Sequence, residues 1–230
     1  MVSGNALIVG AGPGLSASLA RTFAKEGYRV SLAARSPGKL EGLCAETGAK
    51  AHACNAADAA GVARLFQDLD EAGATPDLVV YNASGRVRGP VAELDLEDVH
   101  AALDVTAFGA LAVAHEAAKR MVPKGKGVML FTGASAGIKG FPQSAPFAMG
   151  KFALRGLCQS LARELSPQNI HVVHFVIDGV IYNPDRGAPY DDPDKTLHPD
   201  AIARTYLEIS RQDKSAWTSE LELRPSVEKF

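Results

Sequence analysis

The chain has 230 residues, 47% of them hydrophobic, with a formal net charge of −2, which supplies one large core and shows no composition break that would mark a second domain. Its Lys and Arg residues are scattered, so no electrostatic footprint for nucleic acid or an anionic membrane is present. The opening MVSGNALIVGAGPG has neither a basic leader with a cleavage site nor the apolar run of about 20 residues that crossing a bilayer takes, and a single cytoplasmic domain over residues 1–230 is expected.

In chain order, short Val-, Ile- and Leu-rich runs alternate with longer amphipathic stretches. A strand over residues 6–9 leads into a glycine-rich segment, 10–16, and a helix over 15–26. Strand 29–33, helix 37–47, strand 49–53, helix 59–71 and strand 78–81 follow. A long helix is expected over 96–121, then strand 128–132 and a helix over 144–166, with the Ser144 hydroxyl as its cap and Pro146 in its first turn. Strands 171–177 and 219–223 complete the set. The alternation predicts a Rossmann-like α/β fold, a doubly wound parallel sheet of about seven strands flanked by helices. Residues 183–199, rich in Pro, Asp and Gly and without periodicity, read as a long loop, either a lid or a solvated excursion; its place after a strand favours the lid.

Cys44, Cys54 and Cys158 are far apart in apolar contexts, with no CxxC pair and no histidine at ligand spacing, and read as reduced packing residues; no metal site is expected. His171 and His174 fall on one strand, where i and i+3 point to opposite faces, which excludes a shared ligand role.

The sharpest local signal is GAGPGLS between the first strand and its helix. N–H groups at a helix N-terminus can face a pyrophosphate, Gly10 permits a tight turn, and Gly12 and Gly14 leave room for close backbone approach. Leu15 stands where the flavin-type GxGxxG requires glycine. By itself the turn fits a nicotinamide dinucleotide, a flavin dinucleotide, or a tight connection with no ligand.

Six segments, taken in order, resemble the motifs of the short-chain dehydrogenase/reductase family: GAGPGLS its TGxxxGxG, YNASG its NNAG, DVTAFGAL its DxNxxG, FTGASAG its ISSxxG, FAMGK its YxxxK and IDGVI its PGxV. The resemblance runs over nearly the whole chain and implies an oxidoreductase that transfers hydride between a nicotinamide cofactor and a small carbonyl or alcohol compound. It also implies cofactor contacts from Gly10, Gly12, Pro13, Gly14, Leu15, Arg35, Asn55, Asn82, Ala83, Ser84, Lys151 and Val180. Homodimers or homotetramers built on the two long helices are a further implication, although Leu103, Leu111, Leu154 and Leu161 on those helices equally suit packing on the sheet.

The departures matter as much. The family's catalytic Asn, Ser, Tyr and Lys fall on Thr106, Ala134, Phe147 and Lys151, so only the lysine is kept. Phe147 and Lys151 retain the i, i+4 spacing that stacks two side chains on one helix face; a shift by one residue would put Ser135 in the serine position. A phenyl ring has no proton to give, and a positioned general acid is worth about 10²–10⁴-fold. Lys151 then either holds the ribose hydroxyls or delivers a proton itself or through water, and Tyr81, Tyr182 and Tyr190 are conceivable substitute acids. Where NAD-preferring relatives carry an acid at the end of the second strand, this chain has Ala34 followed by Arg35, which favours NADP(H) over NAD(H); Pro13 stands where many NADP-preferring relatives carry a second basic residue. An oxidoreductase with an altered proton route, a dinucleotide-binding protein without turnover, and a non-redox isomerase using Lys151 as base are the readings carried forward.

Overall fold

The apolar run at residues 6–9 is the buried end of β1 (Gly4–Val9) in the computed structural model, which describes residues 4–183 and 193–227. The chain continues through α1 (Leu15–Lys25), β2 (Tyr28–Ala34), α2 (Glu41–Thr47), β3 (Lys50–Ala53), α3 (Ala59–Glu71) and β4 (Leu78–Tyr81). Then come α4 (Leu96–Leu103), α5 (Gly109–Lys124), β5 (Gly127–Thr132), α6 (Ala145–Leu165), β6 (Ile170–Ile177), β7 (Val180–Ile181), β8 (Thr196–Leu197), α7 (Pro199–Ser210) and β9 (Glu220–Leu223). Seven strands form one parallel sheet in the order β3-β2-β1-β4-β5-β6-β9. The order reverses between β1 and β4, and ligands of open α/β sheets bind outside the carboxyl ends of the strands at such a point.

The strands are apolar along their length because both sheet faces are covered. Leu7 and Val9 pack into the cluster under α3, α5 and α6, whereas Ala6 and Ile8 pack into the cluster under α1 and α7. The same alternation separates the two histidines of β6: His171 stacks on Trp217 at 4.6 Å, and His174 Nδ1 lies 2.9 Å from Glu220. The Cys54 and Cys158 thiols are buried and all three cysteines are free.

Four expectations are corrected. The helix expected over 96–121 is α4 and α5 joined by a π-helical turn, Asp104–Phe108; one turn widens, and the Tyr81 hydroxyl donates to the Val105 carbonyl within it. By length and composition the run Leu96–Lys124 would also suit a membrane span, but Val113, Ala114, Ala117 and Met121 bury its apolar stripe on the sheet. Ser144 precedes α6 without capping it through its side chain; Gln143, with φ +58, turns the chain just before it, and Ser144 is left 3% exposed. The expected loop 183–199 contains β8, whose Thr196 and Leu197 pair in parallel with Val180 and Ile181 of β7; residues 184–192, where the lid was expected, lie outside the described residues. Finally α7 was not among the expected helices, although Ile202, Ala203, Tyr206 and Ile209 form its buried stripe at helical spacing.

Candidate active site

The connection from β1 to α1 turns at Gly10, where φ is +85 and the Gly10 and Ala11 N–H groups both donate to the Ala33 carbonyl at 3.0 Å. A side chain at Gly10 would place its Cβ 2.4 Å from the Ala83 nitrogen, so the protein's own packing demands glycine there. Ser16, in the position of the family's last glycine, ties the turn together. Its hydroxyl donates to the Gly10 carbonyl at 3.0 Å and accepts from Asn82 Nδ2 at 2.8 Å, while the Asn82 N–H donates to the Val9 carbonyl at 2.9 Å.

Gly12 and Gly14 differ from Gly10. Among the described residues, a Cβ at Gly12 would meet nothing within 4 Å, and one at Gly14 would meet only Asn183 Nδ2, at 3.7 Å. Among the described residues no side chain caps the first N–H groups of α1, which leaves donors at the positive end of a helix dipole. These residues, with Pro13, Asn82 and Tyr182, line a cleft of about 330 Å³. An adjoining cleft of about 640 Å³ shares Gly10 and Asn82 and is lined by Arg35, Asn55, Ala83, Ser84 and Arg86 among others. The expected cofactor residues of the turn and of β2, β3 and β4 are thus gathered along one groove. This cradle over a helix N-terminus, with a cation at its far rim, fits a dinucleotide.

Individual placements refine the expectations. Arg35 and Asn55 are exposed at the ends of β2 and β3, and Asn55 Oδ1 accepts from the Ala57 N–H at 3.2 Å. The Leu15 side chain is buried in the core, so only its backbone is available to a ligand. Val180 is 41% exposed in β7 beside Ile181, which lines the smaller cleft.

At the reacting end, Lys151 is buried on α6 and its Nζ donates to the Thr132 carbonyl at 2.7 Å. Burial, which disfavours the ammonium, pulls its pKa down to about 8. The same Nζ lies 5.8 Å from the centroid of the Phe147 ring, and the Arg86 guanidinium carbon lies 4.9 Å from it. Thr106 sits in the π-helical turn with its hydroxyl taken up by the Gly85 backbone, accepting from the N–H at 2.9 Å. Ala134 is extended and starts a 3-10 turn at Ser135–Gly137.

Of the substitute acids, Tyr81 is fully buried and burial pushes its phenol well up; it is a packing residue. Tyr182 is half-buried and stacks on His198 at 6.2 Å, and Tyr190 lies outside the described residues. Ser16, Arg86 and Asp98, which also lines the larger cleft, were not among the expected site residues. Ser16 had a signal, as a hydroxyl in a glycine position; Arg86 had only its place immediately after NASG.

A family model described as short chain dehydrogenase matches residues 4–183. The 3-oxoacyl-[acyl-carrier-protein] reductase MabA of Mycobacterium tuberculosis is 27% identical over 169 residues, and the match covers 74% of this chain and 66% of that protein, just under two thirds of its length. A short-chain dehydrogenase from Rhodopseudomonas palustris superposes with a TM-score of 0.84 at 32% identity, over 96% of this chain and 98% of that one. The alcohol dehydrogenase of the archaeon Thermococcus sibiricus, complexed with 5-hydroxy-NADP, shares the fold at TM-score 0.85 and 24% identity, over 98% of each chain.

Proposed function

The chain belongs to the short-chain dehydrogenase family, and on that premise we propose that it is an NADP(H)-dependent oxidoreductase acting on a small carbonyl or alcohol compound, with a proton route that does not pass through a tyrosine. The observation that carries this reading is the contrast within the glycine turn: a Cβ at Gly10 would run into Ala83, whereas among the described residues a Cβ at Gly12 meets nothing within 4 Å and one at Gly14 makes only an ordinary contact with Asn183. When bound, the reduced dinucleotide would supply the hydride.

The chain's own groups divide the remaining work. N–H groups at the start of α1 bind the pyrophosphate. Arg35 offers a planar fork to a 2′-phosphate, and Ala34 puts no carboxylate in its place. Asn55 flanks the adenine, Asn82 and Ala83 the ribose, and Lys151 holds the ribose hydroxyls by turning from the Thr132 carbonyl. With Phe147 and Ala134 lacking hydroxyls and the Thr106 hydroxyl spent on Gly85, Lys151 is also the group placed to pass a proton, directly or through water. That same loss favours a second reading, a dinucleotide-binding protein without redox turnover. Leu154 is buried in the core, but Phe108, Leu111, Met149 and Phe152 leave apolar area exposed on the π-helical turn, α5 and α6, and we place a homodimer contact there.

The test is fluorescence titration with NADPH and NADH, followed by cofactor oxidation across a panel of ketones, aldehydes and enones. NADPH binding tighter than NADH, with slow carbonyl reduction lost in Lys151→Ala, is expected. No binding at millimolar cofactor overturns the proposal; binding without oxidation selects the second reading.

A further inference from the structure

We propose that His174, backed by Glu220, is the proton partner of Lys151: the two buried nitrogens, imidazole Nε2 and lysine Nζ, exchange one proton, directly or through one water. The use of that proton on a substrate rests on the oxidoreductase reading; the pairing itself rests on where His174 lies. Lys151 Nζ donates to the Thr132 carbonyl at 2.7 Å, and at the next residue, Gly133, a Cβ would run into His174 Nε2. An amine from α6 and an imidazole from β6 thus border one dipeptide at the end of β5. An ammonium has three N–H donors, and the Thr132 carbonyl takes only one of them.

The other side of the ring fixes where its own proton sits. His174 is 1% exposed, and its Nδ1 lies 2.9 Å from Glu220, which Arg155 grips with two bonds of 2.8 and 2.7 Å. Arg155 above all holds the Glu220 carboxyl below its usual range, so a carboxylate accepts the Nδ1 proton and Nε2 keeps a lone pair. Among the described residues Nε2 has no hydrogen-bond partner, and a buried acceptor left unmet is costly. An imidazole oriented by a carboxylate at one nitrogen acts as a base at the other.

The charges around the ring suit a single shared proton. From α6 come Lys151, Arg155 and the Cys158 thiol, which burial keeps neutral; β9 supplies Glu220, and β5 has no ionisable residue. Burial lowers the His174 pKa most, Glu220 opposes it, and the charges of Lys151 and Arg155 lower it further. Two neighbouring cations are disfavoured, so the proton sits on one nitrogen or the other, and at neutral pH it rests on Nζ, whose pKa is about 8. In alcohol oxidation the substrate hydroxyl proton passes to the neutral amine, and the ammonium hands one on to Nε2, leaving an amine and an imidazolium paired with Glu220. Carbonyl reduction runs the same transfers backwards. His174 and Glu220 line a cleft of about 440 Å³ that shares no residue with the cofactor groove, so solvent reaches this ion pair without crossing the dinucleotide.

The experiment is nitrogen-15 NMR of the histidine rings in the labelled full chain across pH, for the unaltered protein, Lys151→Met and Glu220→Gln. One ring should carry its proton on Nδ1, bind a further proton about tenfold more tightly once the neighbouring cation is gone in Lys151→Met, and bind it more weakly in Glu220→Gln. His174→Leu should remove that signal. The same variant takes away an acceptor that favours the ammonium, so the alkaline limb of kcat for carbonyl reduction, with NADPH saturating, should move down by about one pH unit while KM for NADPH stays within about twofold. Ring titrations that are the same in the unaltered chain and Lys151→Met overturn the proposal whether or not the His174 variant folds, as does a responding ring with its proton on Nε2. An unmoved limb in folded His174→Leu also overturns it. Coupled titration without NADPH oxidation upholds the pair and removes the oxidoreductase reading, whereas oxidation with uncoupled titration sinks this inference alone.

Discussion

Lys151 and Thr132 are joined by a buried hydrogen bond, the lysine Nζ donating to the threonine carbonyl at 2.7 Å from a side chain that is 3% exposed. The bond holds an amine at the end of β5, 5.8 Å from the centroid of the Phe147 ring, in surroundings that disfavour its charge.

Stability should record that burial. The Lys151 pKa falls from its ordinary 10.5 to about 8 on folding, so between those values the folded chain binds fewer protons than the unfolded one. Stability from this group therefore rises with pH across that window, and below it the buried ammonium costs its full amount, about 3 kcal/mol. The stability difference between the parent chain and Lys151→Met, measured by urea unfolding, should move in the parent's favour by about that amount from pH 7 to pH 11. A difference that stays flat with pH would show that the amine is not buried.

Two glycines two residues apart, Gly10 and Gly12, should fail in different ways. Gly10→Ala forces a methyl against the Ala83 backbone at φ +85, and strain of about 1–3 kcal/mol or more should lower Tm by roughly 5 °C. Gly12→Ala meets nothing among the described residues and should leave Tm within about 1 °C while weakening NADPH roughly tenfold or more. Unaltered NADPH affinity in Gly12→Ala would mean that the space above the turn is not a ligand site.

Arg35 should discriminate between the cofactors. It is exposed at the end of β2 and lines the larger cleft, so Arg35→Ala should weaken NADPH about tenfold, the worth of one charge-assisted pair, and NADH by less than about twofold. Parallel losses for both, read by fluorescence titration, would place Arg35 away from the 2′-phosphate.

Restoring the missing hydroxyls should restore rate. Ala134→Ser with Phe147→Tyr should raise ketone reduction by about 10²-fold or more, since a positioned acid supplies at least that. The readout is kcat with NADPH held saturating. No gain in a folded double variant would show that the substrate's carbonyl no longer meets these positions.

Much of the molecule was legible in advance, for identifiable reasons. Strands buried on both faces read as runs of Val, Ile and Leu, and α3 is bounded at its start by Asp58, which accepts from the Ala60 N–H at 3.0 Å. The π-helical turn was not legible, because the apolar period passes through it unbroken and the Tyr81 contact that accompanies it comes from 24 residues away. β8 was hidden inside a stretch with turn composition, since a two-residue ladder such as Thr196 and Leu197 on Val180 and Ile181 carries no periodicity.

At the site, residue identity alone told what chemistry was missing: Ala134 and Phe147 carry no proton, and Gly10, Gly12 and Gly14 mark a close backbone approach. Only the tertiary structure decided which glycine serves packing and which leaves room for a ligand, that the Thr106 hydroxyl is spent on Gly85, and that Arg86 lies over Phe147. Propensity, period and motif spacing are short-range properties carried by neighbouring residues. Burial, hydrogen-bond competition and the meeting of a cation with a ring depend on chain segments far apart in sequence, and these are settled only when the sheet brings the segments together.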